Sequence, residues 1–175
     1  MLRMMKTLPA GCVFSEMKSP VGELPIIASD AGLHALLWPK DREGTGCEEI
    51  VRSLKVSDNH PVIKKTKTQL EEYFSGMRFR FDIPLVMDGT PFQKLAWKEL
   101  LAIPYGRTIS YSEQARRLGS PDKARAVGAA NSRNPISIVV PCHRVIGKSG
   151  DLIGFGGGLE TKEFLLNLEK KWNSP

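Results

Sequence analysis

The sequence predicts an α/β chain with a strand-rich first half and a mainly helical second half. In the first half, two apolar runs flank Asp30-Ala31-Gly32, a pattern typical of a β-hairpin. In the second half, Thr90-Pro91-Phe92-Gln93 and Ser110-Tyr111-Ser112-Glu113 are capping boxes, which mark the beginnings of helices. These patterns divide the 175 residues into two predicted domains, 1–87 and 88–175.

The elements of the first half follow from apolar spacing and from the turn residues between the runs. Leu70, Tyr73 and Phe74 share one side of a predicted helix that Gly76 ends. In chain order the pattern predicts two hairpin strands (21–29 and 32–38), a polar loop (40–48), a helix (62–74), an alternating strand (77–83) and a linker (84–89).

The second half is predicted as four helices with a strand and a glycine-rich segment before the last one. Two of the helices are joined by Gly119-Ser120-Pro121, which fits a helix-turn-helix and an ordinary helical hairpin equally well. The predicted helices are 91–103, 111–118, 122–131 and 161–172, and the strand is the Ile-Val-Val run that ends at Pro141. The last helix is predicted to turn Phe164, Leu165, Leu168 and Trp172 inward, with Glu169 on its flank.

The third of these helices consists almost wholly of small residues. We expect Ala124 and Val127 to face the core, while Arg125, Gly128 and Ala129 share another face. A face with so little bulk can approach a nucleic-acid groove closely, and it can equally pack against another helix. Glycine inside a helix costs about 1 kcal/mol relative to alanine, so a close approach is expected in either case.

The composition narrows the class of protein. No run reaches the roughly 18 apolar residues of a membrane span, and the first ten residues lack the apolar core of a signal peptide. Three cysteines without a close pair do not make a disulfide framework, which predicts the reducing cytoplasm. No zinc-type spacing and no phosphate-loop Gly-Lys-Ser/Thr is present, so neither a metal nor a cofactor is predicted.

The positive charge is concentrated in the second half. Residues 88–175 carry 13 basic and 8 acidic residues, whereas residues 1–87 carry 12 and 11. The segment 108–148 alone has a net charge of +5. Such an excess is an electrostatic signature of polyanion binding, although a solvated basic face explains it as well.

Cys142, in Pro141-Cys142-His143-Arg144-Val145, is the strongest candidate for chemistry. A cysteine attacks as its thiolate, so it needs a base or a positive field, and His143 and Arg144 are its neighbours. Neighbouring residues of an extended chain point to opposite sides, so a turn or a bridging water has to connect His143 to the sulfur. Glu169 is placed to orient the imidazole, which completes a cysteine–histidine–acid relay. For Cys12 and Cys47 the inert, buried interpretation is preferred.

The segment Pro141-Cys142-His143-Arg144-Val145-Ile146-Gly147 resembles the active-site signature of the O6-alkylguanine-DNA alkyltransferases. The resemblance extends over nearly all of residues 88–172, in the right order and spacing. It includes Thr90-Pro91-Phe92-Gln93, Ile109-Ser110-Tyr111, the small-residue run 124–130 and Asn134-Pro135. The first half is similar only at Ser19-Pro20-Val21-Gly22 and Ala31-Gly32-Leu33.

The resemblance implies a ribonuclease-H-like α/β domain followed by a mainly α, winged-helix-like DNA-binding domain. It implies stoichiometric, irreversible transfer of the alkyl group from O6-alkylguanine, and possibly O4-alkylthymine, to Cys142. The partner implied is alkylated double-stranded DNA, bound through its minor groove by a monomer with no membrane contact. The base is flipped out of the helix, since its alkylated oxygen cannot reach a buried thiol from within the stack.

The resemblance also assigns roles to individual residues. His143 and Glu169 form the activating relay, and Tyr111 assists rotation and binds the departing guanine. Arg125 fills the gap left by the flipped base, and Asn134 ties the recognition helix to the active-site strand. The remaining DNA-contacting residues implied are Lys123, Ala124, Ala126 and Gly128, and those of the base pocket are Val145, Phe155, Gly156 and Gly157.

The chain departs from the family pattern at two positions, and the sequence leaves two alternative functions to be considered. Phe155 stands where the family often has tyrosine, so a hydroxyl contact to the base is absent, and Lys123 replaces a small residue and could add a phosphate contact. A non-catalytic sensor of alkylated bases is one rival, but those relatives replace the cysteine that this chain keeps as Cys142. A helix-turn-helix regulator is the other, and it needs a longer polar helix to read the major groove.

Overall fold

The computed structural model describes residues 8–39 and 47–172, which form two compact units. The first unit comprises the chain up to Asp88 together with Pro135–Val139, and the second comprises Gly89–Asn134 and the chain from Val140 onward. The first is built on a sheet and the second on helices, as the sequence predicts. Most of the predicted loop 40–48 lies outside the described residues. No helix in the described chain is long and apolar enough to cross a membrane.

A four-stranded sheet organises the first unit, with strands in the order β3-β2-β1-β4. Strand β2 is antiparallel to both β1 and β3, and β4 runs parallel to β1. The predicted hairpin is confirmed as β2 and β3, but β1 escaped the sequence analysis. The elements are β1 (Val13–Ser19), β2 (Gly22–Ser29), β3 (Gly32–Leu36), α1 (Cys47–Ser53), β4 (Lys55–Val56) and α2 (Pro61–Phe74).

Helix α2 confirms the predicted helix of the first unit. The His60 side chain accepts a hydrogen bond from the backbone N–H of Val62 and so caps its N-terminus. Leu70 and Tyr73 are buried, as expected, and Gly76 follows the helix with a φ of 75°. A left-handed glycine just past the last turn is a common helix terminator.

The predicted strand at 77–83 is wrong, because this segment forms no ladder. The N–H groups of Met77 and Arg78 donate to the backbone carbonyl of Glu72, and the backbone of Asp82 binds a side chain of α2. The Gln69 amide donates to the carbonyl of Asp82 at 3.1 Å and accepts from the N–H of Asp82 at 2.8 Å. The chain pairs with the sheet only after this segment, where Leu85 forms an isolated β-bridge with Leu33. Of the alternating apolar residues, Met77 and Phe79 are exposed, Ile83 is buried and the ring of Phe81 packs against Tyr73 of α2.

In its described part, residues 89–134 and 140–172, the second unit contains four α-helices and one two-stranded parallel sheet. Helix α3 begins with a complete capping box: the N–H of Gln93 lies 3.3 Å from Thr90 Oγ1, and Gln93 Oε1 accepts from the N–H of Thr90 at 2.8 Å. Ser110 caps α4, but the Glu113 carboxylate binds Arg116 and Arg117 instead of closing a second box. The elements are α3 (Pro91–Leu101), β5 (Ile109–Ser110), α4 (Tyr111–Arg117), α5 (Ala124–Asn131), a 3₁₀ turn (Cys142–Arg144), β6 (Val145–Ile146) and α6 (Leu159–Trp172).

The buried face of α6 differs from the predicted one. Phe164 and Trp172 are 38% and 43% exposed, whereas Lys162, Leu165 and Glu169 are fully buried. The three buried residues are spaced by three and four and share one face of the helix. Lys162 and Glu169 face inward because other segments supply their hydrogen-bond partners. The spacing of apolar residues along the helix cannot predict such partners.

Candidate active site

Two tight turns precede Cys142 where the sequence predicted a strand, and that strand prediction is wrong. The N–H of Val139 donates to the carbonyl of Ser137 at 2.8 Å across Ile138, whose φ is 69°. Positive φ is rare for a β-branched residue, and this three-residue turn is the strained form of the γ-turn. The N–H of Cys142 donates in the same way to the carbonyl of Val140 at 2.9 Å. The cysteine therefore follows turns and opens a 3₁₀ helix, rather than extending a strand.

The Cys142 side chain is 7% exposed and lies within reach of several polar groups. Burial raises the pKa of its thiol, while the Asn134 side chain, the Lys162 ammonium and backbone N–H groups act to lower it. The net direction is upward, so the thiol keeps its proton in the resting protein. Asn134 also donates to the carbonyl of Val140 at 2.7 Å, which fixes the chain two residues before the sulfur. The arrangement needs a base that takes the proton when substrate arrives.

His143 and Glu169 form a fully buried pair, in which His143 Nε2 lies 2.7 Å from Glu169 Oε1. The carboxylate accepts a hydrogen bond, which assigns the imidazole hydrogen to Nε2. Nδ1 is then the lone-pair nitrogen, and it has no hydrogen-bond partner in the described chain. Burial lowers the pKa of His143 although Glu169 raises it, so the ring is neutral and can accept a proton at Nδ1.

Arg144 neutralises Glu169 and is itself buried. Its Nε donates to Oε2 at 2.9 Å and its Nη2 to Oε1 at 3.0 Å, while Nη1 donates to the carbonyl of Ile103 at 2.6 Å. The N–H of Gly106 also donates to Oε2, at 2.9 Å. Burial would raise the pKa of Glu169, but the contacts with His143 and Arg144 hold it to about 2. The guanidinium charge is therefore engaged by the carboxylate, not by the sulfur as its place in the sequence suggested.

Tyr111 connects the cysteine to a neighbouring cavity. Its hydroxyl lies 3.0 Å from the carbonyl oxygen of Ile153 and 3.4 Å from that of Gly154. Burial, and then the charge of Cys142, raise the pKa of Tyr111 to about 12, so the phenol remains a hydrogen-bond donor at neutral pH. The cavity has a volume of about 400 Å³, and its lining includes Tyr111, Ala124, Arg125, Gly128, Lys148 and Gly154. Cys142 is not part of that lining.

Helix α5 presents Arg125 and Gly128 of the predicted small face to this cavity, but not Ala129. Arg125 and Ala129 are exposed and Val127 is buried, as predicted, but Ala124 is half-buried and faces the cavity rather than the core. A Cβ added to Gly128 would lie 3.7 Å from the Tyr111 ring, an ordinary contact distance. The sequence analysis missed how α5 is held: Asn131 Nδ2 donates to Gln114 Oε1 at 2.7 Å, and Trp97 Nε1 donates to the carbonyl of Ala130 at 2.9 Å.

The other predicted site residues lie around this centre with different degrees of burial. Lys123 and Ala126 are exposed at the start of α5. Val145 is buried in β6, and Phe155 is half-buried with its ring centroid 6.0 Å from Lys162 Nζ. Gly156 and Gly157 are half-buried. None of the predicted pocket residues lines the 400 Å³ cavity, where Gly147, Ile153 and Gly154 lie instead.

The first unit contains no comparable constellation among its described residues. His34 is buried and its Nε2 lies 2.8 Å from Ser29 Oγ, while His60 pairs with Asp30 at 3.1 Å. Across residues 8–39 and 47–172, no three histidine, cysteine, aspartate or glutamate side chains group as they would around a metal ion.

Comparison with known proteins finds similar proteins over most of the chain. The family model for the ribonuclease-like domain of 6-O-methylguanine DNA methyltransferase matches residues 12–87, and the model for its DNA binding domain matches residues 91–171. The methylated-DNA–protein-cysteine methyltransferase of Methanosarcina acetivorans is 41% identical over 160 residues, which is 89% of this chain and 97% of the relative. The constitutive one of Bacillus subtilis is 42% identical over 158 residues, or 90% and 94% of the two chains.

Two solved structures from Mycobacterium tuberculosis match the fold. The O6-methylguanine methyltransferase superposes with a TM-score of 0.83 at 41% identity, covering 94% of this chain and 95% of the other. The OGT protein in complex with DNA superposes with a TM-score of 0.80 at 42% identity, covering 91% and 93%.

Proposed function

The chain belongs to the 6-O-methylguanine DNA methyltransferase family, and from this premise we propose how its residues carry out the reaction. Its activity is that of a methylated-DNA–protein-cysteine S-methyltransferase, a direct-reversal repair of O6-alkylguanine in DNA. The observation that carries the proposal for this chain is the buried Cys142–His143–Glu169 arrangement with Nδ1 of His143 unpartnered. We divide the chain into a ribonuclease-like domain, 1–87, and a DNA-binding domain, 88–175.

The proposed transfer is an in-line displacement at the alkyl carbon. The thiol proton of Cys142 passes through a water molecule to Nδ1 of His143, and Glu169 stabilises the imidazolium that forms. The sulfur then forms a bond to the alkyl carbon as the carbon–oxygen bond breaks. The electron pair stays on the guanine, which takes up the proton that the imidazolium of His143 returns through water, and Tyr111 donates a hydrogen bond to the leaving base. The thioether product has no leaving group suited to reversal, so each protein molecule reacts once.

We propose that the minor groove of duplex DNA lies against α5. The alkylated base has to leave the stack to reach the sulfur, and the small side chains of Ala124, Ala126 and Gly128 allow the helix to approach closely. Arg125 is exposed beside the cavity and takes the vacated place in the duplex. Lys123 is exposed at the beginning of the helix, where its charge would be near phosphate.

The flipped base is proposed to occupy the region bounded by Tyr111, Val145 and the segment Phe155 to Gly157. Asn134 joins the end of α5 to this region through the carbonyl of Val140. Two further expectations remain predictions from the sequence: that the protein acts as a monomer and that it works in the cytoplasm.

Mass spectrometry provides the direct test of this function. After incubation with a duplex that contains one O6-methylguanine, we expect one added methyl group per protein molecule, located on the Cys142 peptide. The same duplex with unmodified guanine is the control. A methyl group on another residue, or release of methyl groups in excess of protein, would contradict the assignment.

Replacing Arg125 with alanine is expected to weaken repair of duplex DNA by about ten- to a hundredfold, since unstacking a base costs a few kcal/mol. Reaction with free O6-methylguanine should change little, because a free base needs no extrusion. The measurement is the rate of methyl transfer to each substrate. Arg80→Ala removes the same charge from an exposed site of the first unit and is the matched control. Equal losses on duplex and free base would show that Arg125 has no part in flipping.

A further inference from the structure

Lys162 is a buried lysine that the transfer as described above does not use. Its side chain is 0% exposed on the inner face of α6. Nζ donates to the carbonyl of Val145 at 2.6 Å and to that of Ile153 at 3.1 Å. Lysine is almost never fully buried unless it is paired, and the described chain places no carboxylate in a salt bridge with this ammonium.

The surroundings of Lys162 are suited to a cation. The Tyr111 and Phe155 ring centroids lie 5.7 and 6.0 Å from Nζ, within the range of cation–π attraction. Burial lowers the pKa of Lys162, and a negative charge on Cys142 opposes that shift. The geometry brings this ammonium to the end of the turn that carries the sulfur, since Nζ donates to the carbonyl of Val145 and the N–H of Val145 donates to the carbonyl of Cys142.

The charged groups near the sulfur have separate partners. Tyr111 of α4 stays neutral at physiological pH, and His143 of the 3₁₀ turn is bound to Glu169 of α6. Arg144 binds both oxygens of the same carboxylate. Lys162 is therefore the cation of this site whose charge no carboxylate has already neutralised.

We propose that Lys162 is a positioning residue for alkyl transfer, whose ammonium stabilises the sulfur anion of Cys142 and fixes the carbonyls of Val145 and Ile153 beside it. The inference rests on the proposed role of Cys142 as the alkyl acceptor. Once the thiol proton has moved to His143, the sulfur anion and the ammonium form a pair. As the sulfur–carbon bond forms, the negative charge leaves with the guanine and is cancelled by the proton that the guanine takes up.

Lys162 also supports the hydroxyl of Tyr111. The carbonyl of Ile153 lies within hydrogen-bond distance of both Tyr111 Oη, at 3.0 Å, and Lys162 Nζ, at 3.1 Å. When Tyr111 turns its hydroxyl toward the departing guanine, Ile153 keeps the ammonium as a donor. Tyr111 can therefore exchange partners while Lys162 keeps the carbonyl of Ile153 hydrogen-bonded.

The test is the pH dependence of Cys142 alkylation by iodoacetamide, followed on the Cys142 peptide by mass spectrometry. In Lys162→Met the midpoint of the rate profile should rise by about one pH unit or more, since a nearby opposite charge shifts a pKa by 1–3 units. Lys94→Met removes a lysine from the exposed side of α3 and should leave the midpoint unchanged. An unchanged midpoint in a folded Lys162→Met protein would overturn the proposal.

A second variant separates charge from folding. Lys162→Gln keeps a hydrogen-bond donor without the charge, so it should fold more stably than Lys162→Met and show the same upward shift. Loss of folding in both variants, seen by circular dichroism and thermal melting, would assign Lys162 a structural role and overturn the proposal.

The proposed function is tested separately, by methyl transfer from O6-methylguanine DNA to the unmodified protein. If that transfer fails, the acceptor role of Cys142 is wrong whatever the iodoacetamide profile shows. If methyl transfer succeeds but the midpoint of the pH–rate profile is unchanged in the Lys162 variants, only the proposed role of Lys162 is wrong.

Discussion

Replacing Cys142 with alanine is expected to abolish methyl transfer from O6-methylguanine DNA and to leave DNA binding within about threefold of its original affinity. The sulfur forms the new bond, and no other group in the described site could replace it as a nucleophile. The basic, small-residue face of α5 is unchanged by the substitution, and Cys142 is only 7% exposed, so DNA contacts should persist. Transfer is measured with a labelled methyl group, and binding by gel retardation at fixed salt concentration.

Cys12 provides the matched control for this substitution. It is a free, buried cysteine in the apolar core of the first unit, packed with Phe14, Ile27 and Leu37. Burial raises the pKa of its thiol, which keeps it unreactive. Cys12→Ala should therefore transfer a full equivalent of methyl. Residual transfer by Cys142→Ala, or loss of transfer in Cys12→Ala, would show that the acceptor has been assigned to the wrong residue.

Local signals in the sequence predicted the helices well, because capping and spacing are properties of neighbouring residues. Thr90 and Gln93 satisfy each other's backbone groups, so the beginning of α3 could be inferred without any tertiary contact. The strand predicted before Cys142 failed for the opposite reason. The β-branched run favours a strand locally, but Ile138 adopts a φ of 69° and the chain turns there. The neighbouring residues contain no glycine or asparagine that would predict a positive φ at this position.

The contact between His143 and Glu169 was predicted from the sequence, but the electrostatics around it were not. The segment around Cys142 and the position of Glu169 were sufficient to propose a relay. The roles of Arg144 and Lys162 depend on tertiary partners: Arg144 donates to the carbonyl of Ile103, 41 residues away, and Lys162 to that of Val145, 17 residues away. Lys162, Leu165 and Glu169 do share one face of α6. The spacing of two charged residues on the same face as a leucine was therefore the sequence signal that could have indicated their burial. An amphipathic pattern places charged residues on the solvent face, so it did not predict that Lys162 would be buried.

Replacing Glu169 with alanine is expected to cost about 3–5 kcal/mol of folding free energy, the range for breaking a buried ion pair. The change removes the acceptor for His143, the carboxylate bound by Arg144 and a partner of the Gly106 N–H. It also releases the imidazole from its tautomer, so methyl transfer should fall by about a hundredfold or more, as is typical when general-base catalysis is lost. Stability is measured by chemical unfolding and transfer on the folded fraction.

Glu163→Ala is the control, because Glu163 lies on the exposed side of the same helix. It should change stability by less than about 0.5 kcal/mol, the usual range for a surface site, and leave the transfer rate unchanged. If Glu169→Ala behaved like Glu163→Ala in both assays, the buried carboxylate would have no part in the relay or in the fold.

The pH dependence of stability distinguishes the charge of Glu169 from the space it fills. The folded-state pKa of about 2 lies below the ordinary value of 4.5, so ionisation of Glu169 stabilises the folded protein above pH 4.5. That contribution should be lost as the pH falls from 4.5 toward 2. Glu169→Gln keeps the size of the side chain without the charge. The variant should be less stable than the unmodified protein at pH 7, and this difference in unfolding free energy should shrink as the pH falls from 4.5 toward 2. A deficit that stayed constant down to pH 2 would mean that packing, and not the charge shared with Arg144 and His143, holds this helix in place.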